Sequence, residues 1–349
     1  MNTKLYGFLI LLSCLISTQF FGQEILSNGE KQIVDSKILN EKREILIHLP
    51  KSYHDQNIKP AKYPVIYLLD AETNFDYYAG MVDLLSKQPY AEIPEMIIVG
   101  IKNTDRTRDL TTSKSLEKNS VNPNELQYKN SGGSKDFSQF IEDELKPFIL
   151  SKYRIDQYSV LVGHSFGGLF AVDVLFQNTK NFNAYVIIDP SLWWNNEKPM
   201  KLINNFFENG KKLPEGTFVF LAQANNEGRS KKSIEEMTLN IKKFKNILSE
   251  NHPQYFQHRF YQEDGHGTVI YPANFDALKY LFKGYRTNVK EFAKDPTILM
   301  DFYTAFSKKQ HFQFKPSESY LNFIINYLKK NNLQESAEKV HEIKKSIYK

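Results

Sequence analysis

Apolar and polar positions alternate between two periods along this chain. Arg43 to Pro50 alternates apolar with polar and then stops at proline, which predicts an early strand. Tyr63 to Asp70 and Glu95 to Gly100 are nearly continuous apolar runs, the pattern of parallel strands buried on both faces. Tyr158 to Val162, Ala184 to Asp189 and Thr217 to Ala222 repeat it, and Gln257 to Gln262 alternates as a last strand. Helical spacing appears between these runs. Tyr77 to Leu85 is one case, and Phe137, Phe140, Ile141, Leu145 and Phe148 mark another over Asp136 to Leu150. Further helices are predicted over the lysine- and glutamate-rich Ser230 to Glu250 and over Asn274 to Phe282. Strands that alternate with helices imply a mainly parallel sheet covered on both faces.

Two regions depart from that rhythm. Asn103 to Gly133 is polar with little periodicity and reads as a long surface loop or cap. After Lys283 the strands cease. Lys294 to Ser307 reads as one helix, and Glu318 to Lys330 puts Leu321, Ile324, Ile325 and Leu328 on one face. Asn331-Asn332 breaks that helix, and Leu333, Ala337 and Val340 continue on another. The helix–turn–helix resembles a single tetratricopeptide-like unit. One such unit cannot bury its own face, so it packs on the preceding domain or takes a protein partner. The chain divides accordingly into residues 1–22, 23–283 and 284–349.

The most informative stretch lies where the central apolar run ends. Gly163-His164-Ser165-Phe166-Gly167 follows a strand and precedes the helical Gly168 to Val172. G-x-S-x-G between strand and helix is a tight turn that exposes a serine hydroxyl at a helix N-terminus. A serine needs a base, and the base needs an orienting acid. Of eight histidines, His266 has the best setting, between Gly265 and Gly267 just after the last predicted strand. His164 adjoins the serine, but consecutive side chains of such a turn point apart, which gives it a structural role. Glu227, in the loop after Thr217 to Ala222, is the first choice for the acid, and Asp189, at the end of the preceding strand, is its rival. The donors for a developing oxyanion are the backbone N–H of Phe166 and that of Glu72, with Ala71 next to it.

Composition narrows the class. The chain has 349 residues, 41% of them hydrophobic, enough for one large α/β domain with an appendage. A net charge of +5 without a Lys/Arg block gives no reason to expect nucleic acid. Lys4, the apolar Leu5 to Ile16 and Gly22-Gln23 read as an export signal with its cleavage point, too short for a good membrane span. This predicts a periplasmic or extracellular protein. Cys14, the only cysteine, lies inside that segment, so the mature chain would carry no thiol; Leu11 to Cys14 only faintly matches a lipid-attachment box. No zinc spacing, P-loop or dinucleotide fingerprint occurs, and no cofactor is expected.

Taken together, Arg43 to Pro50, Tyr67 to Asp70, Asp105 to Thr111, Gly132-Gly133, Gly163 to Leu169 and Pro190 to Trp194 resemble the putative-esterase family of α/β-hydrolases. Arg106 to Thr111 and Pro190 to Trp194 are most similar to its siderophore-esterase-like branch. The resemblance runs from about Arg43 to Phe282. It implies an α/β-hydrolase fold and a serine esterase acting on a small-molecule ester, with Ser165, Glu227 and His266 as catalytic residues. It differs from the family pattern in having Asp189 where relatives carry serine and Ala71 where they often carry glycine. Trp193 and Trp194 form either an aromatic wall for substrate or core packing. Arg106 and Arg108 either attract an anionic substrate or make ion pairs with Asp105, Asp109 or their neighbours. The alternatives to an esterase are an acyltransferase on the same scaffold and a binding protein with a decayed site.

Overall fold

The computed structural model describes residues 28–226 and 231–348. The export segment with Cys14, and Glu227, lie outside the described residues. A single sheet of eight strands organises the rest: β1 (Glu30–Ser36), β2 (Glu41–His48), β3 (Tyr63–Leu68), β4 (Ile97–Ile101), β5 (Ile155–His164), β6 (Ala184–Ile188), β7 (Phe218–Ala224) and β8 (Phe256–Tyr261). Their spatial order is β1-β2-β4-β3-β5-β6-β7-β8. β2 pairs antiparallel with β1 and β4, and every pairing from β4 to β8 is parallel. This is the α/β-hydrolase fold that the sequence implied.

Helices cover both faces. α1 (Ala71–Leu85), α2 (Arg106–Leu110), α3 (Ser134–Phe140), α4 (Lys146–Lys152), α5 (Phe166–Gln177), α6 (Trp194–Glu208), α7 (Lys231–Asn251) and α8 (Ile270–Leu281) lie between or after the strands. α3 and α4 are joined by a π-helical turn, Ile141–Leu145. Alternate strand residues serve opposite cores. Ile66, Leu68 and Ile98 pack with Phe75 and Tyr78 of α1 and Ala273 and Ala277 of α8. Val65, Tyr67 and Val99 pack with Phe170 and Val174 of α5, Ile203 of α6 and Phe244 of α7. Central strands flanked on both sides must be apolar at every position, which is why β3 and β4 read as unbroken runs.

Several elements differ from the sequence expectation. β1 is an edge strand whose sequence, EKQIVDS, is too polar to show a buried pattern. α1 starts at Ala71, six residues before the expected helix. The 103–133 loop contains α2 and a bridge between Lys118 and Leu126. The single helix expected over 294–307 is present but starts four residues later, as α10 (Ile298–Gln310), and an unexpected short helix, α9 (Val289–Lys294), precedes it, the two separated at Pro296, which lacks the N–H that would continue the first.

The last two helices are α11 (Glu318–Lys330) and α12 (Gln334–Ile347). Leu299, Phe306, Leu321, Leu328 and Val340 from this region belong to the same buried cluster as Tyr158, Phe282 and the α1 face. The buried Gln310 ties the regions together. It accepts from the Tyr158 hydroxyl at 3.1 Å and donates to the Leu281 carbonyl at 2.8 Å. Tyr158 and Leu281 lie far from the strand ends that carry Ser165, so this extension buttresses the opposite end of the sheet.

Candidate active site

Ser165 sits between β5 and α5 in a backbone conformation that ordinary residues avoid, φ 60° and ψ −114°. The turn is tight enough that a Cβ on Gly163 would lie 2.2 Å from the Gly167 carbonyl oxygen. The Ser165 N–H donates to the Ile188 carbonyl at 3.0 Å, and its carbonyl accepts from Ser191 N–H at 3.1 Å. The backbone of Ser165 is therefore pinned by the end of β6.

His266 comes from the turn between β8 and α8. Its Nε2 lies 3.1 Å from Ser165 Oγ and its Nδ1 2.6 Å from Asp189 Oδ2. A carboxylate can only accept, so Nδ1 carries the proton and Nε2 is left free to accept from the serine. Asp189 is fully buried, and its other oxygen accepts from the Ala224 N–H at 3.1 Å.

Asp189, the rival candidate, thus stands in the place expected of the acid, while Glu227 lies outside the described residues. Asp189 directly follows β6, whose Ile188 is in register with His164 of β5, so its Cα stands beside the nucleophile. A left-handed φ of 39° turns its side chain toward His266. Sequence order alone could not rank the two carboxylates, because both follow strands.

The N–H groups expected to serve as oxyanion donors lie at helix starts. The N–H of Phe166 opens α5, and those of Ala71 and Glu72 open α1, where no preceding turn supplies an acceptor. The two starts are neighbours: a Cβ on Gly167 would lie 3.4 Å from Asp70 Oδ2. The Glu72 carboxylate turns away to accept from Asn103.

The two arginines are committed to ion pairs. Arg106 grips Asp70 with two bonds of 2.7 and 2.9 Å, donates to the His164 carbonyl at 3.2 Å and covers the Phe166 ring at 5.5 Å. It braces the start of α1 against the nucleophile turn. Arg108 binds Glu41 and Asp109, the latter also paired with buried Arg43. Both guanidiniums already have carboxylate partners, so neither is a free anchor for an anionic substrate.

The tryptophans divide. Trp194 is buried, its Nε1 donating to the Ser113 carbonyl at 3.2 Å, so core packing is its role. Trp193 is half-buried and lies 6.3 Å from the Phe166 ring. Tyr128, brought in by the 103–133 loop, joins Phe166 at 5.9 Å and Trp194 at 5.0 Å, so the wall beside Ser165 is aromatic. Nothing in the sequence pattern marked Tyr128.

His164 has a closer relation to the site than its place in the turn suggested. Its ring lies 4.4 Å from that of His266. Burial, and secondarily the nearby His266, push its pKa down to about 4, so it stays neutral beside the base. Its Nε2 is buried without a protein partner. Among the described residues no group of three or more His, Cys, Asp or Glu side chains stands close enough to hold a metal ion, and no helix is long and apolar enough to cross a membrane.

The chain is similar to several known proteins. Residues 36–271 match the family model described as Putative esterase. The chain is 32% identical over 200 residues to ferri-bacillibactin esterase BesA of Bacillus subtilis (strain 168), which takes in 55% of this chain and 69% of that protein. A crystal structure of an IroE-like serine hydrolase from Shewanella oneidensis matches with a TM-score of 0.80 at 32% identity, covering 91% of this chain and 99% of that one. The BES protein from Bacillus cereus matches with a TM-score of 0.62 at 28% identity, covering 74% and 97%.

Proposed function

We propose, from the premise that this chain belongs to the putative-esterase family and is a serine carboxylic-ester hydrolase, that Ser165, His266 and Asp189 form its catalytic triad. The observation that carries this reading is the continuous Oγ–Nε2 and Nδ1–Oδ2 chain, 3.1 and 2.6 Å long. Ser165 Oγ attacks the ester carbonyl carbon as His266 Nε2 takes its proton. The resulting imidazolium is stabilised by Asp189, and the negative oxygen is held by the N–H groups of Phe166 and of Ala71 or Glu72. Collapse breaks the C–O bond, and the proton on Nε2 passes to the departing alcohol. Water then repeats the sequence on the acyl-enzyme: His266 takes its proton, the hydroxide oxygen adds to the carbonyl, and the acid leaves as Ser165 regains a proton.

The substrate we infer is a siderophore ester, a small molecule whose acyl group carries aromatic rings. The relation to an esterase named for ferri-bacillibactin supports this, as does the aromatic wall of Phe166, Tyr128 and Trp193. We also infer export, supported by Lys4, the apolar Leu5 to Ile16 and Gly22-Gln23.

An ester panel of short-acyl, feruloyl and catecholate trilactone substrates, run on wild type and Ser165→Ala, tests the reading. The variant should turn over none of them, and the wild type should favour the ring-bearing esters. Turnover by Ser165→Ala near the wild-type rate overturns the mechanism, and a preference for short acyl groups overturns the substrate class.

A further inference from the structure

The segment that follows the aromatic wall is held in an unusual shape. Three consecutive residues inside α6 are left-handed: Asn195 (φ 48°, ψ 60°), Asn196 (φ 58°, ψ 50°) and Glu197 (φ 58°, ψ 29°). None is glycine. Residues with a Cβ rarely adopt this conformation singly and still more rarely in a run, so surrounding contacts must hold it. At the far end Glu197 pairs with Lys243 of α7 at 3.2 Å. At the near end the Asn195 Nδ2 amide donates to Ser113 Oγ at 2.8 Å and to the Lys114 carbonyl at 3.1 Å.

Those two acceptors form the root of the 103–133 loop, and what the loop carries matters to Ser165. Ser115 N–H donates to Ser131 Oγ at 2.9 Å, and Gln127 N–H to the Glu117 carbonyl at 2.9 Å, so the outgoing and returning limbs are tied into one piece. That piece presents Tyr128 to Phe166, the residue next to the nucleophile. Asn195 thus fastens the wall to α6, beside the Trp194 bond to the Ser113 carbonyl. Asparagine suits the place twice, since it tolerates the left-handed region and its amide supplies both donors.

We propose that Asn195 is a specificity-determining residue: by clamping Ser113 and Lys114 it fixes Tyr128 beside Phe166 and so favours esters with ring-bearing acyl groups over short ones. The proposal rests on the esterase reading above and names the device that sets its acyl preference. Asn195 touches neither Ser165 nor His266, so the clamp acts on the wall and leaves the chemistry alone.

The test compares a feruloyl ester with 4-nitrophenyl acetate on wild type, Asn195→Gly and Ser113→Ala. Glycine keeps the left-handed backbone while deleting both side-chain bonds. Ser113→Ala removes one acceptor from the loop side, and serves if Asn195→Gly fails to fold. The expected result for Asn195→Gly is a feruloyl kcat/KM lower by roughly 3- to 10-fold, carried mainly by KM, as loss of one or two hydrogen bonds predicts. Acetate turnover and thermal midpoint should stay near wild type, and Ser113→Ala should move the same ratio in the same direction. Equal loss on both esters, or no change on either, overturns the proposal. Ser165→Ala run in parallel separates the two claims. If it is dead while Asn195→Gly shows no selectivity change, only the clamp is wrong; if it is active, the esterase mechanism falls as well.

Discussion

Asp189 Oδ2 lies 2.6 Å from His266 Nδ1, although Asp189 leaves the sheet one strand earlier than the position first expected for the acid. The carboxylate is buried, held by the Ala224 N–H, and aimed by a left-handed backbone turn. Asp189→Asn should lower kcat by about 10²- to 10⁴-fold, because the amide no longer selects the tautomer with Nδ1 protonated. Glu227→Gln should stay within about twofold of wild type, because this reading gives Glu227 no part in the proton path. Steady-state kinetics on one aryl ester decides between them, and the reverse ranking would return the acid to Glu227.

His164 makes stability depend on pH. Its folded pKa is about 4 against an ordinary 6.5, so the unfolded chain binds more protons between those values. Stability present above pH 6.5 is therefore lost as pH falls toward 4, by up to roughly 3 kcal/mol from this residue. His258, pushed down to about 4 by burial, contributes in the same direction. Urea midpoints measured from pH 7 to 4 should fall less steeply for His164→Phe than for wild type. Parallel slopes would show that His164 accepts a proton in the folded state as readily as in the unfolded one.

Removing the C-terminal helices should damage the hydrolase itself. Phe312 and Phe314 pack against Tyr158 at 5.4 and 5.2 Å, and Gln310 serves a buried hydroxyl and a buried carbonyl. Gln310→Ala leaves both without partners and should cost about 2 to 4 kcal/mol in chemical denaturation. A chain ending at Lys283 should be insoluble or melt far lower. An active, stable truncation would mean that the extension is a separable module.

Gly163→Ala should leave almost no active enzyme. The new methyl meets the Gly167 carbonyl oxygen at 2.2 Å, a backbone atom that cannot swing aside without moving Ser165. Overpacking of this kind costs about 3 kcal/mol. Circular dichroism with active-site titration checks it, and a near-normal titre would show that the turn can open.

The parts of this molecule that were readable in the sequence are those where local chemistry leaves little choice. An apolar run buried on both faces has to be a central strand, and glycines around Ser165 have to mark a close approach. His266 was readable from its place in the loop after the last strand, although the glycines beside it mark no close approach. What stayed hidden depended on neighbours distant in the chain. The meeting of Asp189 with His266 depends on the β5–β6 register, the fate of Arg106 on Asp70, and the bond of Asn195 to Ser113 on a contact 82 residues apart in the chain. The polar edge strand β1 buries too little to leave a pattern, and the first turn of α1 looks like a loop because Glu72, Thr73 and Asp76 face solvent.

On this reading Ser165 is a nucleophile activated by His266. Mass spectrometry after treatment with a fluorophosphonate measures it most directly. Wild type should gain a single adduct that maps to the peptide containing Ser165, Ser165→Ala should gain none, and His266→Ala should label at least about 100-fold more slowly. An adduct on a different residue, or a labelling rate indifferent to His266, would contradict the account.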